Sequence, residues 1–292
     1  MKSVIWKTQD GKGRLNDWYD RFVDKIETEV SETIVPTRYG ASHVLVSGLE
    51  NGRPLVCLHA MRTGSPFLVS EMGPVLKRFR VYAPDLPGQS IRGPEIKLPL
   101  NDNSLALWLI DVMDGLELDQ VNLFGVSWGG FLARLTATTA PARVSRLALM
   151  VPAGIANGSH LSGLMKMVFP MVRYKIRPSS SNLRKLLLPI LSTWDDDWAG
   201  MIECTLRDMK MDLRIPPLAS DQDLEQLTMP TLVLAGENDI SFPGRDVIDR
   251  LRGRLPNIDV ELMPECKHSP PTTDAFREWL GDRLSQFLDD PK

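Results

Sequence analysis

The sequence has few cysteines, few histidines and no long hydrophobic run. Its three cysteines, Cys57, Cys204 and Cys266, lie far apart and form no CxxC pair, so neither a disulfide framework nor a zinc site is expected. No apolar stretch approaches the roughly 20 residues that span a membrane, and the first residues lack the apolar core of a secretion signal. These absences predict a soluble cytoplasmic protein without membrane insertion.

Neither positive nor negative charge is in large excess, because the formal net charge is only −3 over 292 residues. Such a balance gives no reason to expect a nucleic acid or an anionic membrane as a partner. Apolar residues make up 43% of the chain and charged residues 24%, which is ordinary for a globular protein. The composition leaves the oligomeric state open.

Short apolar runs alternate with helix-like segments along most of the chain. Strands that are covered on both faces have this continuous apolar pattern. The apolar runs occupy residues 55–58, 81–83, 121–124, 147–150 and 232–235, and residues 260–263 form a last strand-like run. Helical spacing marks residues 105–116 and 276–288. Alternating β and α units predict a doubly wound α/β fold, in which ligands bind beyond the carboxyl ends of the strands.

Residues 155–218 break this rhythm with helix-like patches, several prolines and no clear buried strand. We interpret this stretch as a helical lid inserted into a core formed by residues 1–154 and 219–292. Six of the thirteen methionines lie in it. Methionine adapts to irregular apolar shapes, which suits an acyl or alkyl pocket, and packing of short helices would use it equally well.

Residues 166–185 contain six basic side chains and no acidic one. Such a run is most often a solvated face. The alternative hypothesis is that one of its arginines binds the carboxylate of an acidic ester.

Residues 125–130, Gly-Val-Ser-Trp-Gly-Gly, lie between the predicted strand 121–124 and a helix-like segment, residues 131–138. A serine at the tip of such a sharp turn needs very small residues two positions before and two after it, and Gly125 and Gly129 meet that need. The amino terminus of the following helix places partial positive charge where an oxyanion would develop. The pattern predicts Ser127 as a nucleophile. The alternative is a glycine-rich turn whose serine has no catalytic role.

A serine hydroxyl needs a base within hydrogen-bond reach, and the chain offers four histidines. His43 lies in an early strand-like run, His160 opens the insertion, and His59 ends a predicted strand, where we expect it to brace the following loop. His268 follows the run 260–263 and precedes the last helix, which places it at the same carboxyl edge as Ser127. We therefore predict His268 as the general base.

A carboxylate should fix the tautomer of that histidine. Asp239 follows the predicted strand 232–235 and reaches the same edge, whereas its neighbour Glu237 is interpreted as a solvated loop residue. The turn after the preceding strand, residues 151–158, contains no acid. The order Ser127, Asp239, His268 is the order expected of an α/β-hydrolase triad.

These segments resemble the esterase and lipase-like branch of the α/β-hydrolase superfamily from about residue 39 to the carboxyl terminus. The resemblance rests on residues 58–60, 85–88, 125–130, 236–239 and 266–268. It implies a mostly parallel eight-stranded sheet with helices on both faces, and an oxyanion hole formed by the backbone N–H groups of Met61 and Trp128. It implies no metal and no organic cofactor.

The chain departs from the family pattern at two places. The family usually has His-Gly after its third strand, whereas this chain has His59-Ala60, so a donor at Met61 requires backbone dihedrals that accept a Cβ. The loop 85–90 lacks its usual second glycine, and Asp85 is expected to organise that turn.

The expected activity is a carboxylesterase-like cleavage of a small molecule with an apolar acyl or alkyl part. A proline iminopeptidase, a carbon–carbon bond hydrolase, an acyltransferase, a cofactor-free haloperoxidase and a non-catalytic ligand-binding receptor remain open on the same fold.

Overall fold

A single sheet of eight strands forms the centre of the structure, a computed structural model that describes residues 3–159 and 164–289. The strands are β1 (Val30–Thr37), β2 (Gly40–Gly48), β3 (Arg53–Leu58), β4 (Phe79–Pro84), β5 (Val121–Val126), β6 (Val144–Met150), β7 (Thr231–Gly236) and β8 (Ile258–Met263). Their order across the sheet is β1-β2-β4-β3-β5-β6-β7-β8. All six runs predicted as strands lie within β3 to β8.

The sheet is parallel except at one edge. β1 and β2 form an antiparallel hairpin, and β2 pairs antiparallel with β4, whereas every pairing from β4 through β3 to β8 is parallel. All residues of β5 and β7 are buried, which explains why the sequences of these strands are nearly continuously apolar. The prediction of a mostly parallel α/β sheet is confirmed.

Helices cover both faces of the sheet. They are α1 (Gln9–Val23), α2 (Ser65–Val69), α3 (Gly73–Leu76), α4 (Ser104–Gly115), α5 (Trp128–Thr139), α6 (Phe169–Ile176), α7 (Ser180–Leu187), α8 (Asp196–Asp208), α9 (Asp221–Glu225), α10 (Gly244–Leu251) and α11 (Asp274–Asp289). The neighbours Leu123 and Phe124 on β5 point to opposite faces of the sheet. Leu123 packs into the core under α4, α5 and α10, and Phe124 packs into the core under α2, α3 and α11.

The segment between β6 and β7 contains residues 155–218, the stretch predicted to be an insertion. Its described residues form α6, α7, α8 and a π-helical turn (Leu164–Val168) before α6, and they contain no strand longer than a single bridge. Tyr174, Leu183, Leu187 and Ala199 bury one another in a small apolar cluster of its own. α8 also packs against α1, so the insertion is fixed to the core. Within the described parts of the chain, no helix is long and apolar enough to cross a bilayer.

Candidate active site

Ser127 lies at the sharp turn between β5 and α5. Its backbone has φ +53° and ψ −111°, a conformation that residues other than glycine rarely adopt. The turn is held by hydrogen bonds from the Ser127 N–H to the Met150 carbonyl (3.0 Å) and from the Ala153 N–H to the Ser127 carbonyl (3.1 Å). The strained backbone therefore sits within β5, β6 and the loop after β6, which together hold it in place.

The glycines on both sides of Ser127 cannot be replaced without a clash. A Cβ on Gly125 would lie 2.3 Å from the Gly129 carbonyl oxygen, and a Cβ on Gly129 would lie 2.1 Å from the Leu58 carbonyl oxygen. Backbone atoms of β3 and α5 approach this closely only because neither position has a side chain.

His268 and Asp239 complete a chain of hydrogen bonds to Ser127. The His268 Nε2 atom lies 3.0 Å from the Ser127 Oγ atom, and its Nδ1 atom lies 2.9 Å from the Asp239 Oδ2 atom. A carboxylate only accepts hydrogen bonds, so the Nδ1–H donates to Asp239 and the Nε2 lone pair faces the serine hydroxyl. The structure thus brings together three side chains that are far apart in the sequence.

Backbone donors and a ring fix the Asp239–His268 pair in position. The second oxygen of Asp239 accepts the N–H groups of Ser241 (2.7 Å) and Phe242 (3.0 Å). The ring of Phe242 packs edge-on against the imidazole of His268, with 5.2 Å between ring centroids. The sequence does not single out Phe242, because an aromatic residue in a loop after a strand carries no specific signal.

The other described histidines do not reach the serine hydroxyl. His59 is fully buried, its Nδ1–H donates to the Ala60 carbonyl (2.7 Å), and its Nε2 accepts the Leu86 N–H (3.1 Å). Burial lowers the pKa of His59, which keeps the ring neutral as it joins the loops after β3 and β4. His43 bonds to Asp85 at 2.9 Å, and His160 lies outside the described residues.

Asp85 organises the turn after β4, as expected from the sequence. Its buried carboxylate accepts hydrogen bonds from the Tyr19 hydroxyl (2.8 Å), the Ser65 N–H (3.0 Å) and the His43 ring. These contacts join α1, α2 and β2 to the loop that follows β4. Asp85 therefore stabilises the fold and is not hydrogen-bonded to Ser127 or His268.

The backbone at Met61 accepts an ordinary side chain. Neither Ala60 nor Met61 has a positive φ, and the left-handed residue of this loop is Arg62, at φ +55°. Alanine at position 60 therefore causes no backbone strain. Trp128 is the first residue of α5, where the backbone N–H has no partner inside the helix.

A cavity of about 140 Å³ opens beside Ser127 and His268. Its walls are mainly apolar and come from α2, β5, β6, α8 and α11: Phe67, Leu68, Val126, Met150, Trp198, Phe276 and Leu280. Glu71 is the one acidic residue in the described lining, and it accepts hydrogen bonds from Trp198 Nε1 (3.0 Å) and Arg277 Nε (2.8 Å). This arrangement fixes Trp198, which belongs to the insertion, as one wall of the cavity.

The basic run of the insertion does not reach this cavity. Its six side chains are exposed to solvent, and none of them lines the space beside Ser127. The hypothesis that one of its arginines binds a substrate carboxylate there is therefore not supported. Among residues 3–159 and 164–289, no group of three or more His, Cys, Asp or Glu side chains is arranged to hold a metal ion.

Comparisons with known proteins identify similar chains of closely matching length. An uncharacterized carboxylesterase, Nap, of Bacillus subtilis is 23% identical over 280 residues, covering 91% of this chain and 90% of the relative. Carboxylesterase YbfK of the same organism is 24% identical over 286 residues, covering 94% and 93%. A 2-hydroxy-6-oxo-2,4-heptadienoate hydrolase of Pseudomonas putida is 27% identical over 260 residues, covering 77% and 88%.

The fold is also found in solved structures. The crystal structure of naproxen esterase (carboxylesterase NP) from Bacillus subtilis superimposes with a TM-score of 0.81 at 20% identity, covering 96% of this chain and 99% of that one. The sequence profile of the alpha/beta hydrolase family matches residues 55–280, most of the chain. The protein therefore belongs to the alpha/beta hydrolase family.

Proposed function

We propose that the protein is a serine hydrolase that cleaves carboxylic esters through an acyl-enzyme on Ser127. The observation that carries the proposal is the 3.0 Å contact between the Ser127 hydroxyl and the acceptor nitrogen of His268, whose other nitrogen is held by a buried carboxylate. The two carboxylesterase relatives, which match nine-tenths or more of the chain, support the same reaction class.

Acyl transfer proceeds in two steps with these residues. His268 takes the proton of Ser127 as the serine oxygen attacks the ester carbonyl, and Asp239 stabilises the imidazolium that forms. The N–H groups of Met61 and Trp128 stabilise the oxyanion of the tetrahedral intermediate. His268 then protonates the leaving alcohol, and it next activates the water that releases the acid and restores Ser127.

The cavity beside Ser127 indicates what kind of ester fits. A volume of about 140 Å³ is close to that of engineered apolar cavities that hold benzene, so one apolar group of that size is accommodated. Because the described lining offers no lysine or arginine, an apolar acyl or alkyl group is favoured over an anionic one. The substrate in this proposal is thus a small neutral ester.

The insertion acts as the lid in this proposal. Residues 155–218 lie in the connection between β6 and α9, which precedes β7. They contribute Trp198 to the cavity wall. The core formed by 1–154 and 219–292 supplies Ser127, Asp239 and His268. We retain the cytoplasmic location as a prediction: all three cysteines are free and buried, a state that a reducing compartment preserves.

A carbon–carbon bond hydrolase is the second candidate, because the heptadienoate hydrolase is also similar to this chain. That relative's named substrate is a carboxylate, and the described lining of the cavity contains no cation that would bind one. This difference favours the esterase.

A substrate panel separates these activities. Purified protein is assayed with neutral p-nitrophenyl esters, prolyl amides and vinylogous diketones, with Ser127→Ala as the control for background hydrolysis. Ester turnover that Ser127→Ala abolishes supports the proposal. Turnover of the diketones or amides in preference to every ester overturns it, and tight binding of ester without turnover indicates a receptor.

A further inference from the structure

The outer face of the helical segment around α6 exposes a row of large apolar side chains. Met165, Val168, Phe169, Val172 and Ile176 are 61%, 52%, 65%, 48% and 80% exposed. Spacings of three and four residues place them on one stripe of the helix. Single exposed apolar residues are normal on a protein surface, but a continuous stripe of this length indicates a binding surface.

The opposite face of the same segment already anchors it to the protein. Tyr174 is buried, and its hydroxyl donates a 2.6 Å hydrogen bond to Glu203 on α8. Met167 and Met171 pack against the apolar cluster of the insertion. The segment therefore has two apolar faces, and folding of the insertion uses only the inner one.

Uncompensated positive charge surrounds the exposed stripe. Six exposed cations lie on this segment, directly after it and on α7: Lys166, Arg173, Lys175, Arg177, Arg184 and Lys185. No aspartate or glutamate occurs between Asp119 and Asp195. In the described part of the chain none of the six is in an ion pair; Arg173 bonds to the neutral Asn182, and Arg184 lies over the ring of Trp194. The overall charge of −3 thus conceals a strongly basic region.

We propose that this face, Met165 to Ile176 with its flanking cations, docks onto an anionic lipid surface. An apolar stripe bordered by lysine and arginine is the pattern by which a helix lies in the plane of a membrane interface: apolar side chains enter the acyl boundary and cations meet the phosphates. This is peripheral binding, since α6 has only eight residues and spans nothing. This proposal rests on the local charge pattern, whereas the net charge of the whole chain gives no reason to expect an anionic membrane as a partner.

A second copy of the chain fits this face less well. An isologous contact would bring the same patch from both copies together, so that cations would oppose cations with no acidic residue of the segment to separate them. A negatively charged lipid surface supplies the opposite charge directly.

Co-sedimentation with sucrose-loaded vesicles tests the proposal. Vesicles of phosphatidylcholine containing about one third phosphatidylglycerol should retain the wild-type protein at least about tenfold more strongly than pure phosphatidylcholine, and high salt should remove the difference. The double variant Phe169→Ser, Ile176→Ser should lose about tenfold or more of the binding to the anionic vesicles. The triple variant Arg173→Gln, Lys175→Gln, Arg177→Gln should lose the preference for phosphatidylglycerol.

Ile34→Ser is the matched control, because Ile34 on β1 is 60% exposed and lies outside the insertion. It should bind vesicles as the wild type does, and all variants should hydrolyse a soluble short-chain ester at the wild-type rate, which shows that they are folded. The proposal is overturned if the wild type binds neither vesicle, or if Ile34→Ser loses as much binding as the double variant. It is also overturned if sedimentation velocity shows that the wild type is a dimer and the double variant a monomer, and the wild type does not bind the anionic vesicles.

Discussion

The carboxyl ends of the strands, where Ser127 lies, and the insertion beside them are built in contrasting ways. There, buried contacts hold the proposed triad in place, such as the two backbone donors on Asp239 and the close backbone approach at Gly129. The insertion buries a small cluster of its own and packs α8 against α1, but it leaves large apolar side chains around α6 exposed. A rigid site suits chemistry that depends on short distances, whereas the insertion contributes Trp198 to the wall of the cavity beside it.

The largest expected effect concerns the base. His268→Ala should lower kcat by about a thousandfold or more, because His268 is the one base among the described residues that is hydrogen-bonded to the Ser127 hydroxyl. Steady-state kinetics with a p-nitrophenyl ester measure it. The control is His43→Gln, which removes a histidine that is bonded to Asp85 and does not line the cavity beside Ser127; it should lower stability and leave kcat within about threefold. Equal losses in kcat would contradict the assignment.

Asp239→Asn should lower kcat by about a thousandfold. The amide keeps the shape of the carboxylate, but it can donate to His268 and so favour the tautomer that no longer accepts the serine proton. Glu237→Gln provides the comparison, because this neighbouring acid is bound by Arg245 at 2.8 Å and not by the histidine. If Glu237→Gln caused the larger loss, Asp239 would not be the acid of the triad.

Gly129→Ala should lower the free energy of unfolding by about 3 kcal/mol or more, since its Cβ would lie 2.1 Å from a backbone oxygen. Activity should fall with it, because relief of the clash moves Ser127. Gly13→Ala on α1 is the matched change, since its added Cβ would meet no atom within 4 Å other than those of the adjacent residues and of the helix's own backbone. It should be neutral or stabilising by up to about 1 kcal/mol in urea unfolding.

Trp198→Ala should shift the preferred ester toward longer or bulkier apolar groups, by about tenfold in relative kcat/KM. The change removes one wall of the cavity and its hydrogen bond to Glu71. Trp194→Ala removes a tryptophan of the insertion that does not line the cavity, and its chain-length profile should match that of the wild type. An unchanged profile for Trp198→Ala would show that the cavity does not hold the substrate.

The smallest effect concerns the contact between α1 and α8. Hydrogen bonds from Arg14 and Arg207 hold the pKa of Asp208 well below its usual range. A lowered native pKa stabilises the fold above the unfolded pKa of about 3.9, and this stability is lost as pH falls further. Asp208→Asn should therefore lower the free energy of unfolding by about 1 kcal/mol at neutral pH. The effect is small because both arginines are solvent-exposed, and the difference from the wild type should shrink below about pH 4. Urea unfolding across pH measures it, with the exposed Asp274→Asn as control.

The sequence predicts the parts of the protein in which local pattern and chain position agree. Buried parallel strands give continuous apolar runs, and the carboxyl-edge rule groups Ser127, Asp239 and His268 although the first and last are 141 positions apart. Their catalytic roles stay predictions. The edge strand β1 has no such run, because only Val35 of its residues is buried. Trp198 and Glu71 escape prediction because their pairing depends on how the insertion folds over α2 and α11.

The central claim is that Ser127 is the residue that becomes acylated. Intact-protein and peptide mass spectrometry after reaction with a fluorophosphonate test it most directly. The account predicts one adduct, on the peptide that contains Ser127, with labelling abolished in Ser127→Ala and strongly slowed in His268→Ala. A full adduct on another residue, or unchanged labelling of Ser127→Ala, would contradict it.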